Sequence, residues 1–176
     1  MVWKNKGILL WRSIKIWRRI LYWKKNGKGC EYDDNGKLEF EGEYLDGERN
    51  GKGKEYDKNI KLIFEGEYIK GKKTGKGKEY FYYDGTLIFE GEYLDGERNG
   101  KGKEYNNYGV LLFEGDYLNG KKNGKGKEYN CFGNLAFEGE FLDGERWNGK
   151  GKEYNIFGKV EFEGEHLNWE KLNKNE

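Results

Sequence analysis

A motif that returns every 24 or 25 residues limits this chain to folds built from stacked copies of one small unit. The motif Phe-Glu-Gly-Glu-Tyr and its close variants begin at six positions: Phe40, Phe64, Phe89, Phe113, Phe137 and Phe162. A second motif, Gly-Lys-Gly-Lys-Glu-Tyr, follows each of the first five copies. Residues 40–56 and 89–105 are identical, so the duplication unit spans two copies. So short a period predicts that each copy is stabilised by its neighbours.

Each copy has the residue pattern of a β-hairpin. Along 38–44, apolar residues or Gly alternate with Glu, which is the period-two pattern of a half-buried strand. A turn rich in Asp, Asn and Gly follows at 46–51, and a second short strand is predicted at 52–56. We expect the insertions near Tyr82 or Tyr83 and at Trp147 to fall in turns. The sequence therefore predicts an all-β, single-layer antiparallel sheet of about six consecutive hairpins.

Glycine recurs at one register of the first strand in every copy, where it would normally weaken a strand. We interpret this register as a flat strip that only Gly leaves open for aromatic rings of adjacent strands. The predicted structural residues of the array are Phe40, Gly42, Tyr44, Tyr56, Phe64, Gly66, Tyr68, Tyr80, Phe89, Gly91, Tyr93, Tyr105, Phe113, Gly115, Tyr117, Tyr129, Phe137, Gly139, Tyr154, Phe162 and Gly164.

These motifs, an aromatic-Glu-Gly-Glu-aromatic followed by a Gly-Lys and Gly-x-Gly segment, resemble the MORN repeat over about residues 26–168. The resemblance implies an elongated, curved sheet of successive hairpins with no catalytic residues of its own. Families with this repeat include membrane-associated scaffolds, cytoskeletal proteins and regulatory modules, and lipid-headgroup binding has been proposed for some members. The variant Phe-Glu-Gly-Asp-Tyr-Leu-Asn-Gly-Lys at residues 113–121 is also similar to repeats of bacterial antitoxin-like proteins.

The inventory of reactive side chains argues against an enzyme. Ser13 and His166 are the only Ser and His, and they lie in the two atypical ends of the chain. One His and two Cys are too few for a His/Cys zinc site, which needs four ligands. Paired carboxylates recur in every copy, which indicates architecture rather than one tuned acid–base pair. We therefore predict no catalytic residue, no metal and no cofactor.

Charge is distributed unevenly along the chain. Residues 1–30 carry nine Lys and Arg and no acid, which leaves 24 basic and 32 acidic residues for the remainder. The turns alternate between Asp-Gly-Glu-Arg and Lys-rich sequences, whereas nucleic acid attracts clustered positive charge. We therefore expect no nucleic-acid binding. Lys and Glu of adjacent strands are expected to form a solvated face, with an anion site from the Lys rows as the alternative.

Residues 1–25 allow three interpretations. Leu10, Ile14, Trp17 and Leu21 have helical spacing, which is typical of a basic amphipathic helix at a membrane surface. The segment could instead be a disordered tail. It could also be an out-of-frame repeat, because a Trp codon shifted by one base encodes Gly and residues 16–25 then resemble the motif.

The sequence thus predicts three regions: a basic segment at 1–25, a repeat array at 26–168 and a polar tail at 169–176. The predicted function is a cytoplasmic, non-catalytic scaffold that docks a protein partner. The first alternative is peripheral binding to an anionic membrane. Its predicted lipid contacts are Arg12, Lys15, Arg18, Arg19, Lys70, Lys72, Lys73, Lys121 and Lys122. The second alternative function is that of an antitoxin-like or immunity partner. The open edge strands of the sheet also allow a homodimer.

Overall fold

A computed structural model describes residues 19–21, 24–155, 157–168 and 170–173. They form one open, curved sheet in which the strands follow chain order and each pairs antiparallel with the next. The strands are β1 (Arg19–Leu21), β2 (Lys24–Tyr32), β3 (Leu38–Leu45), β4 (Glu48–Tyr56), β5 (Leu62–Ile69), β6 (Lys72–Tyr80), β7 (Leu87–Leu94), β8 (Glu97–Tyr105), β9 (Leu111–Leu118), β10 (Lys121–Tyr129), β11 (Leu135–Leu142), β12 (Glu145–Tyr154), β13 (Val160–Leu167) and β14 (Glu170–Asn173). The predicted all-β hairpin array is confirmed.

The turn inside each repeat is shorter than the sequence predicts. Asp46 and Gly47 have φ values of 52° and 94°, the backbone of a two-residue turn whose twist matches the flanking strands. Glu48 therefore pairs directly with Leu45, and β4 begins four residues before the predicted start at Lys52. The prediction of a turn over 46–51 is wrong, because the chain reverses within two residues and Glu48 and Arg49 already pair with β3 as part of β4.

The turns that join one repeat to the next use a side-chain acceptor. In the first of them, Asp33 Oδ1 accepts hydrogen bonds from the backbone N–H groups of Asn35 and Lys37, both at 2.8 Å. The insertion at Tyr82 and Tyr83 lies in such a turn, as predicted.

The second insertion lies elsewhere than predicted. Trp147 is inside β12, where the pairing with β11 shifts register between Glu140 and Phe141. The sheet accommodates this extra residue as a bulge within the strand rather than in a turn.

The core is a single row of interlocked rings on one face of the sheet. Phe40 meets Tyr44 of its own strand and Tyr68 of the next repeat at ring distances of 5.7 and 5.3 Å, both edge to face. The same geometry continues through the ring order Tyr44, Phe40, Tyr68, Phe64, Tyr93, Phe89, Tyr117, Phe113, Phe141, Phe137, His166, Phe162. Each such contact stabilises by about 0.5–1.5 kcal/mol beyond area burial. Neighbouring repeats therefore share one core.

Glycines lie beneath the rings. A Cβ atom on Gly66 would stand 2.7 Å from Cζ of Phe64, and one on Gly77, its partner across the strand pair, would also stand 2.7 Å from that atom. No real side chain tolerates this approach, so the ring can lie flat only where both strands carry Gly.

The sheet extends past both predicted boundaries of the repeat array. Residues Arg19–Leu21 form β1 and pair with β2, so the helical alternative is wrong for these residues, whose backbone hydrogen bonds go to a neighbouring strand. Lys24 and Lys25 of the same predicted segment begin β2, and the rest of it, residues 1–18 together with 22 and 23, lies outside the described residues. At the other end, β14 occupies four residues of the predicted polar tail.

Candidate docking groove

A shallow groove of about 1320 Å³ runs across the sheet on the face opposite the rings. Its floor is a row of glycines that pair with one another from strand to strand: Gly29, Gly42, Gly53, Gly66, Gly77, Gly91, Gly102, Gly115, Gly126 and Gly139. Charged residues flank the glycine on each of these strands except β2, where Cys30 takes one of the two places, so two largely charged columns form the walls. The columns are two residues apart along each strand, or about 7 Å.

The charges of the walls alternate from one strand to the next. Glu41 and Glu43 flank the glycine of β3, whereas Lys52 and Lys54 flank the glycine of β4. The lining contains nine Lys and nine Glu, so the groove has no net charge. Like charges therefore recur along the groove every second strand, at a spacing of about 10 Å.

Tyrosines fix four of the five carboxylates of one wall. The Tyr56 hydroxyl donates to Glu41 Oε1 at 2.6 Å, and Tyr80 donates to Glu65 Oε1 at the same distance. Burial and this hydrogen bond to Glu65 raise the pKa of Tyr80 to about 12, so its hydroxyl stays protonated and continues to donate. Tyr105 and Tyr129 hold Glu90 and Glu114 in the same way.

Backbone N–H groups fix two carboxylates of the other wall. The N–H groups of Lys52 and Lys101 donate to Glu43 Oε2 and Glu92 Oε2, each at 3.1 Å. The glycine before each lysine has a positive φ, 98° at Gly51, which turns the following N–H toward the carboxylate. Both walls thus have acidic groups that are ordered by the fold itself.

The ring face, in contrast, is covered by its own charged residues. The Arg49 guanidinium lies 4.0 Å from the centre of the Phe40 ring and pairs with Glu31 and Glu55 at 2.6 and 3.0 Å. Lys73 lies 3.9 Å from the Phe64 ring centre and also pairs with Glu55. The same arrangement of a cation over a ring is found for Arg98, Lys122, Arg146 and Lys171.

These cations hold buried carboxylates in the charged form. Burial acts to raise the pKa of Glu79, but hydrogen bonds from Arg98 and Tyr93 outweigh it and leave that pKa below its ordinary value. Arg98 reaches Glu79 at 2.5 Å and lies 3.9 Å from the Phe89 ring centre. The ring face is therefore a closed layer, and the groove face is the open one.

The lysines predicted to contact lipid do not lie together. Lys72 and Lys121 pair with Asp95 and Asp143 at the turns, at 3.3 and 3.6 Å. Lys73 and Lys122 lie over rings on the other face, and Lys70 is in a turn with a φ of 49°. Arg19 belongs to β1, and the remaining predicted contacts, Arg12, Lys15 and Arg18, lie outside the described residues. Lipid contact by this set stays a prediction.

Sequence reasoning missed the cations over the rings, although a signal was present. An Arg or Lys stands nine residues after every motif Phe, as in Phe40 and Arg49 or Phe162 and Lys171. It also missed that the second glycine of Gly-Lys-Gly-Lys, such as Gly53, pairs with the first-strand glycine to complete the floor.

Neither a metal cluster nor a membrane-spanning helix is found in the described part of the chain. No three His, Cys, Asp or Glu side chains there are placed to hold a metal ion. No helix there is long and apolar enough to cross a membrane.

The repeat is matched by a known family. The family model of the MORN repeat matches residues 40–59, 64–82, 89–110 and 113–130, four tandem copies. No curated protein matches the sequence. The MORN repeat is generally a non-catalytic module and commonly binds proteins or membranes.

Proposed function

The chain belongs to the MORN repeat family, and we propose that it is a non-catalytic docking protein that holds a segment of a protein partner in the groove. The observation that carries the proposal is the pair of ordered, charged walls on either side of an open glycine floor. Ordered side chains lose little further entropy when a ligand binds, which favours recognition. As predicted from the sequence, the proposal places the protein in the cytoplasm.

The charge pattern favours a partner segment that carries both signs. A ligand of one sign would meet repulsion at every second strand, because strands with Lys on both sides of the glycine alternate with strands with acidic residues there. A mixed-charge segment can place an opposite charge at each strand. Complementary charge of this kind sets specificity and register more than raw affinity.

Site-specific cross-linking tests the proposal in the cells that produce the protein. A photoreactive amino acid in place of Lys78 or Lys103 lies in the groove, and one in place of Glu97 lies at the turn end of β8 as a matched control. We expect covalent adducts with a partner protein from the two groove positions and not from position 97. Adducts from position 97 alone, or none from the groove, would contradict docking in the groove.

A charge swap then tests the role of the walls. Lys127 and Glu138 pair at 3.3 Å across two strands of the groove, and the double variant K127E/E138K keeps the pair and the net charge but inverts the order of charges. We expect it to reduce the cross-linked adduct at position 103. The swap K72D/D95K, at a turn outside the groove, should leave that adduct unchanged.

The same variants distinguish docking of a protein partner from the alternative, binding to an anionic membrane. Vesicles with phosphatidylserine should retain the full chain if the basic residues of the sequence-based proposal contact lipid. Retention that is unaffected by K127E/E138K, together with no protein adduct, would favour the membrane alternative over docking.

A further inference from the structure

The turns that join the repeats form one long rim of the ribbon, and the residues at their tips change along it. We call this rim the joining rim; it consists of residues 33–37, 57–61, 81–86, 106–110, 130–134 and 155–159. The third residue of these turns is in order Asn35, Asn59, Tyr83, Tyr108, Phe132 and Phe157. The last four turns therefore present an aromatic ring where the first two present an amide.

The four rings are largely in solvent. The exposed fractions are 73% for Tyr83, 86% for Tyr108, 63% for Phe132 and 87% for Phe157. Tyr83 has the ammonium of Lys61 5.5 Å from its ring centre, so one of its faces has a neighbour within the chain. An exposed row of this kind is typical of an interaction surface.

In the five-residue turns the fold itself does not require these rings, because turns of the same geometry carry an amide at this position elsewhere in the chain. The N–H of Asn35 donates to Asp33 Oδ1 at 2.8 Å, and the N–H of Tyr108 donates to Asn106 Oδ1 at 2.9 Å. The two turns thus use one hydrogen-bond arrangement, with an amide or a ring at the tip. The opposite rim has the polar turns Asp-Gly, Lys-Gly and Asn-Gly instead. The aromatic row belongs to one rim only.

We propose that the joining rim binds a second copy of this chain, with two ribbons meeting rim to rim and antiparallel about a two-fold axis. The rings recur once per two strands, or about every 10 Å, and a second copy presents the same period. In an isologous interface, a residue i of one copy contacts a residue j of the other, and j of the first copy contacts i of the second. In the antiparallel arrangement Tyr108 therefore faces Phe132, and Tyr83 faces Phe157.

Charge complementarity selects the antiparallel arrangement. The turns 106–110 and 130–134 contain no charged residue, whereas the outer turns of the aromatic row contain Asp84 and Lys159. Antiparallel pairing places Asp84 of each copy opposite Lys159 of the other. A parallel pairing would place like charges opposite each other, which is unfavourable.

The buried area indicates a weak dimer. A large aromatic side chain buries about 150–250 Å² when fully covered. Eight rings that are partly covered would remove on the order of 1,000 Å² from water, which is at the lower limit for a specific interface. Association should therefore depend on concentration in the micromolar range or above. The groove lies on a face and stays open in such a dimer.

Sedimentation equilibrium of the full chain tests the proposal. The wild type should show a concentration-dependent monomer–dimer equilibrium. The variant Y83N/Y108N/F132N/F157N introduces the amide that the first two turns already carry, so it should fold, as far-UV circular dichroism would verify, and dimerise at least tenfold more weakly. The control variant L94N/L118N, which replaces half-exposed residues at the opposite rim, should dimerise like the wild type.

Charge variants test the antiparallel arrangement. K159E should weaken the dimer by up to about fivefold, K159R should not, and D84K/K159E should restore it. A wild type that stays monomeric at all concentrations would overturn the proposal, and so would an undiminished dimer of the four-ring variant. Ring-dependent binding of the monomer to neutral phosphatidylcholine vesicles, without a dimer, would assign the rim to membranes instead.

Discussion

Ile60 occupies a backbone conformation that suits glycine. Its φ is 64°, and the equivalent turn positions carry Gly36 and Gly109 at 78° and 77°. A β-branched residue in this region is strained, because its Cβ comes too close to the following carbonyl oxygen. The conformational energy cost is about 1–2 kcal/mol. The side chain is half exposed, so little burial compensates for the strain.

We predict that I60G stabilises the protein by about 1 kcal/mol, measured as the free energy of unfolding in urea. The converse change, G109A, should destabilise by a similar amount and serves as the control. An I60G variant that is no more stable than the wild type would mean that the strain is relieved elsewhere.

Two glycines separate the effect of space from that of backbone conformation. Gly66 lies under a ring, and its Cβ would stand 2.9 Å from Cα of Gly77, whereas Gly85 has open space around it but a φ of 82°. We predict that G66A costs about 3 kcal/mol, because ring and neighbouring strand must shift, and that G85A costs about 1 kcal/mol. Urea unfolding measures both. Equal losses would contradict the role of the floor glycines.

Single residues show where sequence reasoning succeeds. The alternation around Phe40, Gly42 and Tyr44 predicts the strand and its inner face, because one period-two pattern determines both. It does not predict that Arg49 covers the Phe40 ring, since that contact depends on the register of β3 and β4 after a two-residue turn. The open groove also depends on this register, which pairs Gly42 with Gly53.

At the scale of the hairpin, each cation over a ring joins two repeats. Arg98 covers Phe89 and pairs with Glu79 of the preceding repeat. We predict that R98A destabilises by about 2 kcal/mol, because it uncovers the ring and leaves a half-buried carboxylate without its cation. K101A, whose side chain is largely exposed in the groove, should cost less than about 0.5 kcal/mol in the same urea experiment. Similar losses for both variants would contradict the joining role of Arg98.

The last hairpin should respond to pH through His166. His166 takes the position of Tyr44 and its equivalents between the rings of Phe137 and Phe162, and 5% of it is exposed. Burial lowers its pKa, and the nearby charges of Arg146 and Lys171 act in the same direction, while Glu153 and Glu128 oppose them.

Because folding lowers the pKa of His166, its side chain binds a proton more readily in the unfolded chain than in the folded one. The stability that neutral His166 gives the fold is therefore fully present above about pH 6.5 and is lost as the pH falls below that value. We predict that hydrogen exchange over residues 160–168 accelerates between pH 7.5 and 5.5, after correction for intrinsic rates, and that H166Y removes the acceleration. The same acceleration in H166Y would assign the effect to other groups.

Elements at the ends and at insertions were the hardest to predict. The helical spacing of Leu10 to Leu21 makes a helix one of three interpretations of residues 1–25, but Arg19–Leu21 pairs with β2, because a neighbouring strand supplies partners for the backbone groups that periodicity alone does not reveal. The sequence predicts Trp147 in a turn, because insertions usually fall there, yet a bulge in β12 accommodates it.

At the scale of the whole molecule, the two faces of the ribbon have different roles. One face carries a continuous row of rings covered by ion pairs, and stability is shared between neighbouring repeats. The other face carries the groove, and the side chains that order its walls are not part of the ring row. Docking can therefore be changed by groove substitutions that leave the core intact.

The sheet is stabilised by contacts between neighbouring repeats and not by a core that closes on itself. Deletion of residues 57–105 removes two whole repeats and keeps these contacts, because Tyr56 then continues into Asn106 with the sequence context of Tyr105 and Phe40 meets Tyr117 as Phe89 now does. We predict that the deletion variant folds into a sheet with the ten remaining described strands and has a single urea transition at a somewhat lower midpoint. A deletion variant without β-sheet circular dichroism or a cooperative transition would contradict it.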